Sequence, residues 1–168
     1  RSLSHGDLAS KLNPFFHSNE SEPELLDIDI KPPTRHYLLK VVPLIQDRIK
    51  TLAEARHLFS YLFQSTLTYD PDLLVQKGMN PSATITALTG VKNKLFTVTT
   101  WKAAVLESLL RSLSDDLGIK PAQLFGTIRV SMTGKTATPP LFQTMEALGK
   151  TVSMRRITGS INELKSRL

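Results

Sequence analysis

An arginine and a proline-rich turn are the most informative features of this sequence. Arg129 lies nine residues before the run Thr138-Pro139-Pro140-Leu141. A guanidinium group offers a planar fork of hydrogen-bond donors, the two prolines stiffen the turn, and Leu141 adds a small apolar surface. Such a combination suits the edge and face of an unstacked nucleobase. The run also has the features of a helix start, and the two interpretations are compatible.

A second arginine, Arg48, stands in the segment Pro43-Leu44-Ile45-Gln46-Asp47-Arg48-Ile49-Lys50-Thr51-Leu52. An arginine on an amphipathic helix is usually exposed to solvent or paired with an acidic neighbour, and Asp47 or Glu54 could be that neighbour. The alternative is a base contact by the guanidinium fork. Residue types alone leave both interpretations open.

The sequence predicts no catalytic residue, no metal site and no cofactor site in this chain. The run Thr133-Gly134-Lys135-Thr136 ends like a phosphate-binding loop, but Arg129 stands where the loop needs its earlier glycine. We therefore predict a turn after a helix at this run. The four histidines are not at metal-ligand spacing, and no nucleophile and base can be paired from sequence order. The absence of cysteine excludes disulfides and thiolate metal ligands.

Charge is distributed unevenly along the 168 residues, whose formal net charge is +6. Residues 1–30 contain two basic and six acidic residues, whereas residues 120–168 contain eight basic and two acidic ones. The basic region coincides with the Arg129 segment, so the predicted partner is a polyanion. Lys150, Arg155, Arg156 and Lys165 are candidate phosphate contacts. A solvated basic surface without a ligand is the alternative.

Three segments together resemble the anticodon-binding region of bacterial and organellar glutamyl-tRNA synthetases. They are the Arg129 segment, Leu44–Leu52, which is similar to the family pattern L-hydrophobic-x-x-R-x-x-T-L, and Leu148-Gly149-Lys150 followed by Arg155-Arg156-Ile157. The resemblance covers nearly the whole chain and is weakest before residue 35. It implies an all-α, two-part helical domain of the α-helical cage type.

The family resemblance also implies roles for individual residues. Arg48 would meet the third anticodon base. Cytosine presents two adjacent acceptors to such a fork, whereas guanine is larger and presents donors. Arg129, Thr138, Pro139 and Leu141 would surround the first two anticodon bases.

The implied partner is tRNA(Glu). The protein is expected to be a monomer that acts in the cytoplasm or in a mitochondrion and is not secreted. ATP and Mg²⁺ would serve a catalytic domain of the parent ligase that is absent from this chain. The first residues, Arg1-Ser2-Leu3-Ser4, fit a piece of a larger protein. A helical protein-interaction module with a basic surface is the alternative function.

Hydrophobic periodicity and capping residues predict helices joined by short connections. We expect a helix over Ser4–Leu12 that stops at Asn13-Pro14, then an acidic connector to Pro33. A second helix is predicted to begin after Thr34, with a bend or break at Pro43, and a third to carry an apolar face over Leu52–Phe63. Further helices are predicted to begin at Pro71, to run from Pro81 to about Phe96 and from Thr100 to Gly118, and to begin at Pro121. Two closing helices, separated at Gly149, are predicted after Pro140.

Two further expectations concern the structure of residues 128–132 and the division of the chain into parts. Residues 128–132 also permit a short strand because they are rich in β-branched residues, although the family resemblance favours a helix. We predict three parts, namely residues 1–34 as a helix and acidic connector, 35–67 as a first helical subdomain and 68–168 as a second.

Overall fold

The computed structural model describes residues 3–17 and 34–168, and every regular element within them is helical. This confirms the all-α prediction. The helices are α1 (His5–His17), α2 (Arg35–Ile45), α3 (Leu52–Phe59), α4 (Pro81–Phe96), α5 (Ala103–Asp116), α6 (Pro121–Thr133), α7 (Leu141–Leu148) and α8 (Lys150–Lys165). Short 3-10 helices occur at Gln46–Arg48, Ser60–Leu62 and Pro71–Leu74. Most of the predicted acidic connector lies outside the described residues.

Polar residues cap the helices where the sequence predicted. The side chains of Ser4, Thr34, Asp70 and Asn80 each accept a hydrogen bond from a backbone amide two or three residues later. These bonds satisfy amides that have no partner inside the helix. The α6 prediction is also correct, because residues 128–132 are helical rather than extended.

The chain divides into two compact units, Arg1–Thr66 and Leu67–Leu168. In the first unit α1 packs against α2 and α3. Its buried apolar side chains are Leu8, Ala9, Leu12, Leu38, Val41, Val42, Ile45, Ala55, Phe59, Tyr61, Leu62 and Phe63. The Tyr37 hydroxyl donates to the Leu62 carbonyl, and the Tyr37 and Phe63 rings meet edge to face at 5.9 Å.

Neither the stop predicted at Asn13-Pro14 nor a break at Pro43 occurs in this unit. A bend at Pro43 stays a prediction. Helix α1 continues through Pro14 to His17, and α2 continues through Pro43 to Ile45. Pro43 is exposed, while Val41, Val42 and Ile45 are fully buried on the same helix. Burial of that face offsets the hydrogen bond that the proline removes. The helix ends two residues after Pro43, and a 3-10 turn follows.

The predicted apolar face over Leu52–Phe63 is wrong in two details. Helix α3 ends at Phe59 and is followed by the 3-10 turn Ser60–Leu62, and Leu58 is 40% exposed. The change of helix type rotates the later residues, so Tyr61, Leu62 and Phe63 are buried in succession.

In the second unit, α8 packs against α4, α6 and α7, and α5 packs against α4, α6 and α7. Helix α5 begins at Ala103, later than predicted, because Trp101 lies before it and donates its indole N–H to the Met145 carbonyl at 2.8 Å. Helices α7 and α8 meet at Gly149, whose φ of +82° is readily adopted only by glycine. This unit carries the Arg129 segment.

Candidate nucleic-acid interface

The structure brings Arg129, Thr138 and Pro139 together. One guanidinium nitrogen, Nη1, donates to the Thr138 hydroxyl at 2.7 Å and to the Pro139 carbonyl at 3.1 Å. Arg129 lies on α6, and its two acceptors lie on the turn that precedes α7. The arginine therefore fixes the position of this turn.

The end of α6 makes this geometry possible. Gly134 terminates α6 with a left-handed φ of +69°, and its amide bonds to the Val130 carbonyl at 2.7 Å. The Thr133 hydroxyl donates to the Arg129 carbonyl and accepts from the Lys135 amide. The Gly-Lys-Thr run is thus a helix end, as predicted, and not a phosphate-binding loop.

The end of α6 packs against Tyr69. A Cβ on Gly134 would stand 3.2 Å from the Tyr69 side chain, and the Tyr69 hydroxyl shares a 2.7 Å hydrogen bond with Ser160. Burial is the main cause that raises the pKa of Tyr69 and the only cause that lowers the pKa of Lys135. The end of α6 that precedes the turn is therefore partly shielded from water.

Pro139 and Leu141 are less accessible than a base-stacking role requires. Leu141 begins α7 and is only 4% exposed, and Pro139 is also buried. Thr138 is half-buried and Pro140 is exposed. The Leu141 side chain therefore packs in the core beneath the turn, and the accessible part of the turn is formed by Thr138 and Pro140.

Arg48 has a different environment. It ends the 3-10 helix Gln46–Arg48 and is followed by Ile49 in an extended conformation, so it is not on the amphipathic helix considered above. Its side chain is exposed, and no carboxylate among the described residues forms an ion pair with it. Glu54 has another role, because its carboxylate accepts from the amides of Lys50 at 2.7 Å and Thr51 at 3.2 Å.

A surface cleft of about 320 Å³ borders the Arg48 segment within the first unit. The Gln46 side chain donates to the Leu3 carbonyl at 2.7 Å at this cleft. Its lining residues are Leu3, Leu8, Gln46, Asp47, Ile49, Lys50, Thr51 and Leu52. Sequence reasoning missed the cleft, since no local pattern shows that the beginning of α1 packs beside residues 46–52.

The four basic candidates occupy three kinds of environment. Arg155 and Lys165 are exposed on α8. Lys150 donates to the carbonyls of Phe96 at 2.8 Å and Val98 at 2.7 Å. Arg156 is only 7% exposed and donates to the Met132 carbonyl near the end of α6. Arg156 therefore caps a helix in the interior, and its predicted role as a surface phosphate contact does not fit its position.

Within residues 3–17 and 34–168, no group of three or more His, Asp or Glu side chains could hold a metal ion. In the same part of the chain, no helix has the length and apolar character that crossing a membrane requires.

Comparison with known proteins links this geometry to a family. A family model described as an anticodon binding domain matches residues 7–161. A glutamate–tRNA ligase of Roseiflexus castenholzii is 44% identical over 136 residues, which are 79% of this chain and 27% of that protein. One from Herpetosiphon aurantiacus is 37% identical over 169 residues, covering 99% of this chain and 33% of that protein. The chain thus spans only 27% to 33% of the length of these relatives.

Solved structures support the fold. A glutamate–tRNA ligase from Elizabethkingia meningosepticum superposes with a TM-score of 0.78 at 17% identity, covering 96% of this chain and 30% of that one. A glutamate–tRNA synthetase from Elizabethkingia anophelis gives a TM-score of 0.74 at 15% identity, covering 95% of this chain and 29% of that one. At such low identity the similarity concerns the arrangement of helices.

Proposed function

Because this chain belongs to the anticodon-binding domain family, we propose that it binds the anticodon loop of tRNA(Glu) as the recognition part of a glutamate–tRNA ligase. The observation that carries the proposal is the double hydrogen bond from Arg129 to Thr138 and Pro139. It holds the Thr138–Leu141 turn in place before any ligand arrives. Preorganisation of this kind lowers the entropic cost of binding.

The Arg129 turn reads the first two anticodon bases. Bases of an RNA loop can be unstacked and hydrogen-bonded along their edges, while the stem hides most of its sequence information. Thr138 and the backbone of the turn supply the polar contacts, and Pro140 supplies an exposed apolar surface. The buried side chain of Leu141 anchors the turn to the core.

Arg48 reads the third anticodon base. Its exposed guanidinium fork matches the two adjacent acceptors of cytosine and opposes the donors of guanine. A bidentate contact of this kind discriminates between bases by about 1–3 kcal/mol. This choice separates glutamate tRNAs from glutamine tRNAs, whose anticodons differ at that base.

Arg155 and Lys165 contact phosphates. Both are exposed on α8, so they add affinity and salt dependence without reading sequence. The whole ligase joins glutamate to tRNA(Glu) with ATP and Mg²⁺, acting as a monomer in the cytoplasm or a mitochondrion. In that enzyme the present chain contributes specificity at a distance from the reacting groups.

The experiment is a binding titration with a hairpin that copies the anticodon arm of tRNA(Glu). We expect the Kd to rise steeply with salt, and to rise about tenfold when guanine replaces cytosine at the third base. A hairpin with the same stem and an unrelated loop is the control. Equal binding of all three hairpins would contradict the proposal and favour a protein-interaction module.

A further inference from the structure

Phe96 is an unusually exposed aromatic residue of the second unit. It is the last residue of α4, and its side chain is 74% exposed. Single exposed apolar side chains are common on soluble proteins, so exposure alone carries no function. The loop that carries Phe96 gives a second, independent observation.

Hydrogen bonds to the α7–α8 region hold the loop from Phe96 to Lys102. Lys150 donates to the carbonyls of Phe96 and Val98, and its Nζ lies 5.9 Å from the centre of the Phe96 ring. The Trp101 indole donates to the Met145 carbonyl at 2.8 Å. The loop is therefore fixed at several points while Phe96 remains exposed.

The chemistry around Phe96 fits a polyanion with flat apolar groups. The exposed residues that follow it are threonines at positions 97, 99 and 100. Lys102 is also exposed, and it pairs with Glu146 at 3.0 Å. A basic side chain beside an exposed aromatic ring, as Lys150 is here, is typical of surfaces that bind single-stranded RNA.

Helix α7 connects this loop to the Arg129 turn. The turn leads into α7 at Leu141, and the loop is anchored to Met145 and Glu146 on the same helix. The turn and these two anchors of the Phe96 loop are therefore joined by one helix of eight residues, about 12 Å long.

We propose that Phe96 stacks on an unpaired base of the bound RNA loop, and that Lys150 is a positioning residue that holds the Phe96 loop. This inference rests on the proposed function, because it requires that the chain binds the anticodon arm. Stacking is tolerant of base identity, since every base has a flat face. Phe96 therefore adds affinity at a loop position, while Arg48 and the Arg129 turn supply selectivity.

The test compares Phe96→Leu, which keeps an apolar side chain, with Phe96→Trp, which keeps an aromatic face. The probes are the tRNA(Glu) anticodon hairpin and a set of hairpins that each lack one loop base. We expect Phe96→Leu to raise the Kd for the intact hairpin about tenfold, and Phe96→Trp to preserve it. For one of the abasic hairpins, Phe96→Leu and the unchanged chain should bind equally.

Salt dependence separates the role of Lys150 from that of a phosphate contact. We expect Lys150→Met to weaken binding of the intact hairpin while leaving the slope of log K against log salt unchanged. A slope reduced by about one would assign Lys150 to a phosphate and overturn its positioning role.

The outcomes distinguish the two levels of the proposal. If the unchanged chain binds the hairpin and Phe96→Leu binds every hairpin equally well, stacking by Phe96 is overturned and the proposed function stands. If the unchanged chain does not bind the hairpin, both are overturned.

Discussion

The two arginine sites differ in how firmly the protein holds them. The Arg129 side chain projects from helix α6 and donates two hydrogen bonds to the turn beside it. Thr133 and Gly134 fix the end of that helix. Arg48 ends a 3-10 turn, is exposed, and forms no ion pair among the described residues. The Arg129 site is thus organised by the protein itself, and we expect the Arg48 site to become ordered on binding.

This difference predicts a division of labour. Substitutions around Arg129 should change stability and affinity together, because the same bonds hold the protein and present its binding surface. Substitutions at Arg48 should change base preference and leave stability unaffected. The predictions below separate these effects.

The largest expected effect is on stability, from Arg156→Met. Arg156 is buried and donates to the Met132 carbonyl in the last turn of α6. Its loss leaves that carbonyl unsatisfied and loosens the helix that carries Arg129, at a cost of about 2–3 kcal/mol. In a unit of about a hundred residues this lowers Tm by roughly 10–20 °C, measured by thermal unfolding.

Arg155→Met is the matched control, since Arg155 is the neighbouring arginine and is exposed. Its Tm should change little, while the salt dependence of RNA binding should become shallower. A normal Tm for Arg156→Met would show that α6 does not depend on this bond.

The next largest effect is on specificity, from Arg48→Gln. We expect the preference for cytosine over guanine at the third anticodon base to fall by about 2 kcal/mol, because the bidentate fork is lost. Titration of paired hairpins measures this change. Lys50→Gln, two residues later and also exposed, controls for the lost charge. An unchanged preference in Arg48→Gln would refute the role of this residue.

A smaller effect is expected for Gly134→Ala. The left-handed φ of +69° and the 3.2 Å approach to Tyr69 both oppose a Cβ at this position. We expect a loss of about 1–2 kcal/mol of stability and weaker RNA binding, because the turn after α6 shifts. Urea unfolding measures the first and hairpin titration the second.

Gly159→Ala provides the control for that substitution. Gly159 is on α8, and a Cβ there would meet no atom within 4 Å. Alanine should stabilise the helix by about 0.5–1 kcal/mol. Equal effects at the two glycines would show that the turn does not require its left-handed residue.

Helices and caps could be predicted from sequence because their causes are local. Asn80 before Pro81 and Thr34 before an apolar periodic segment each have a short-range physical meaning. The grouping of Arg129 with the Thr138 turn was also anticipated, since only nine residues separate them and the family resemblance pointed to both.

The burial or exposure of individual arginine and aromatic side chains could not be predicted from the sequence. Arg155 and Arg156 are identical in type and adjacent, yet one is exposed and the other caps α6. The assignment depends on which face of α8 packs against α6, a long-range fact. The exposure of Phe96 and the anchoring of its loop by Lys150 are long-range in the same sense.

The smallest expected effect is a pH dependence at Lys135, in the loop between α6 and the turn. Burial lowers the pKa of Lys135 below its ordinary 10.5. Between the lowered pKa and 10.5 the folded state binds fewer protons than the unfolded state, so the contribution of Lys135 to stability increases as pH rises.

Urea unfolding of the unchanged chain and of Lys135→Gln between about pH 8 and pH 10.5 measures this contribution. As pH rises, the unfolding free energy of the unchanged chain should increase relative to that of Lys135→Gln. Lys165→Gln, at an exposed position, controls for the loss of one positive charge. A difference for Lys135→Gln that is constant with pH would mean that the loop leaves the ammonium hydrated. In that case only the hydrogen bonds made by Arg129 would hold this region in place, and the difference in rigidity between the Arg129 and Arg48 sites would be smaller.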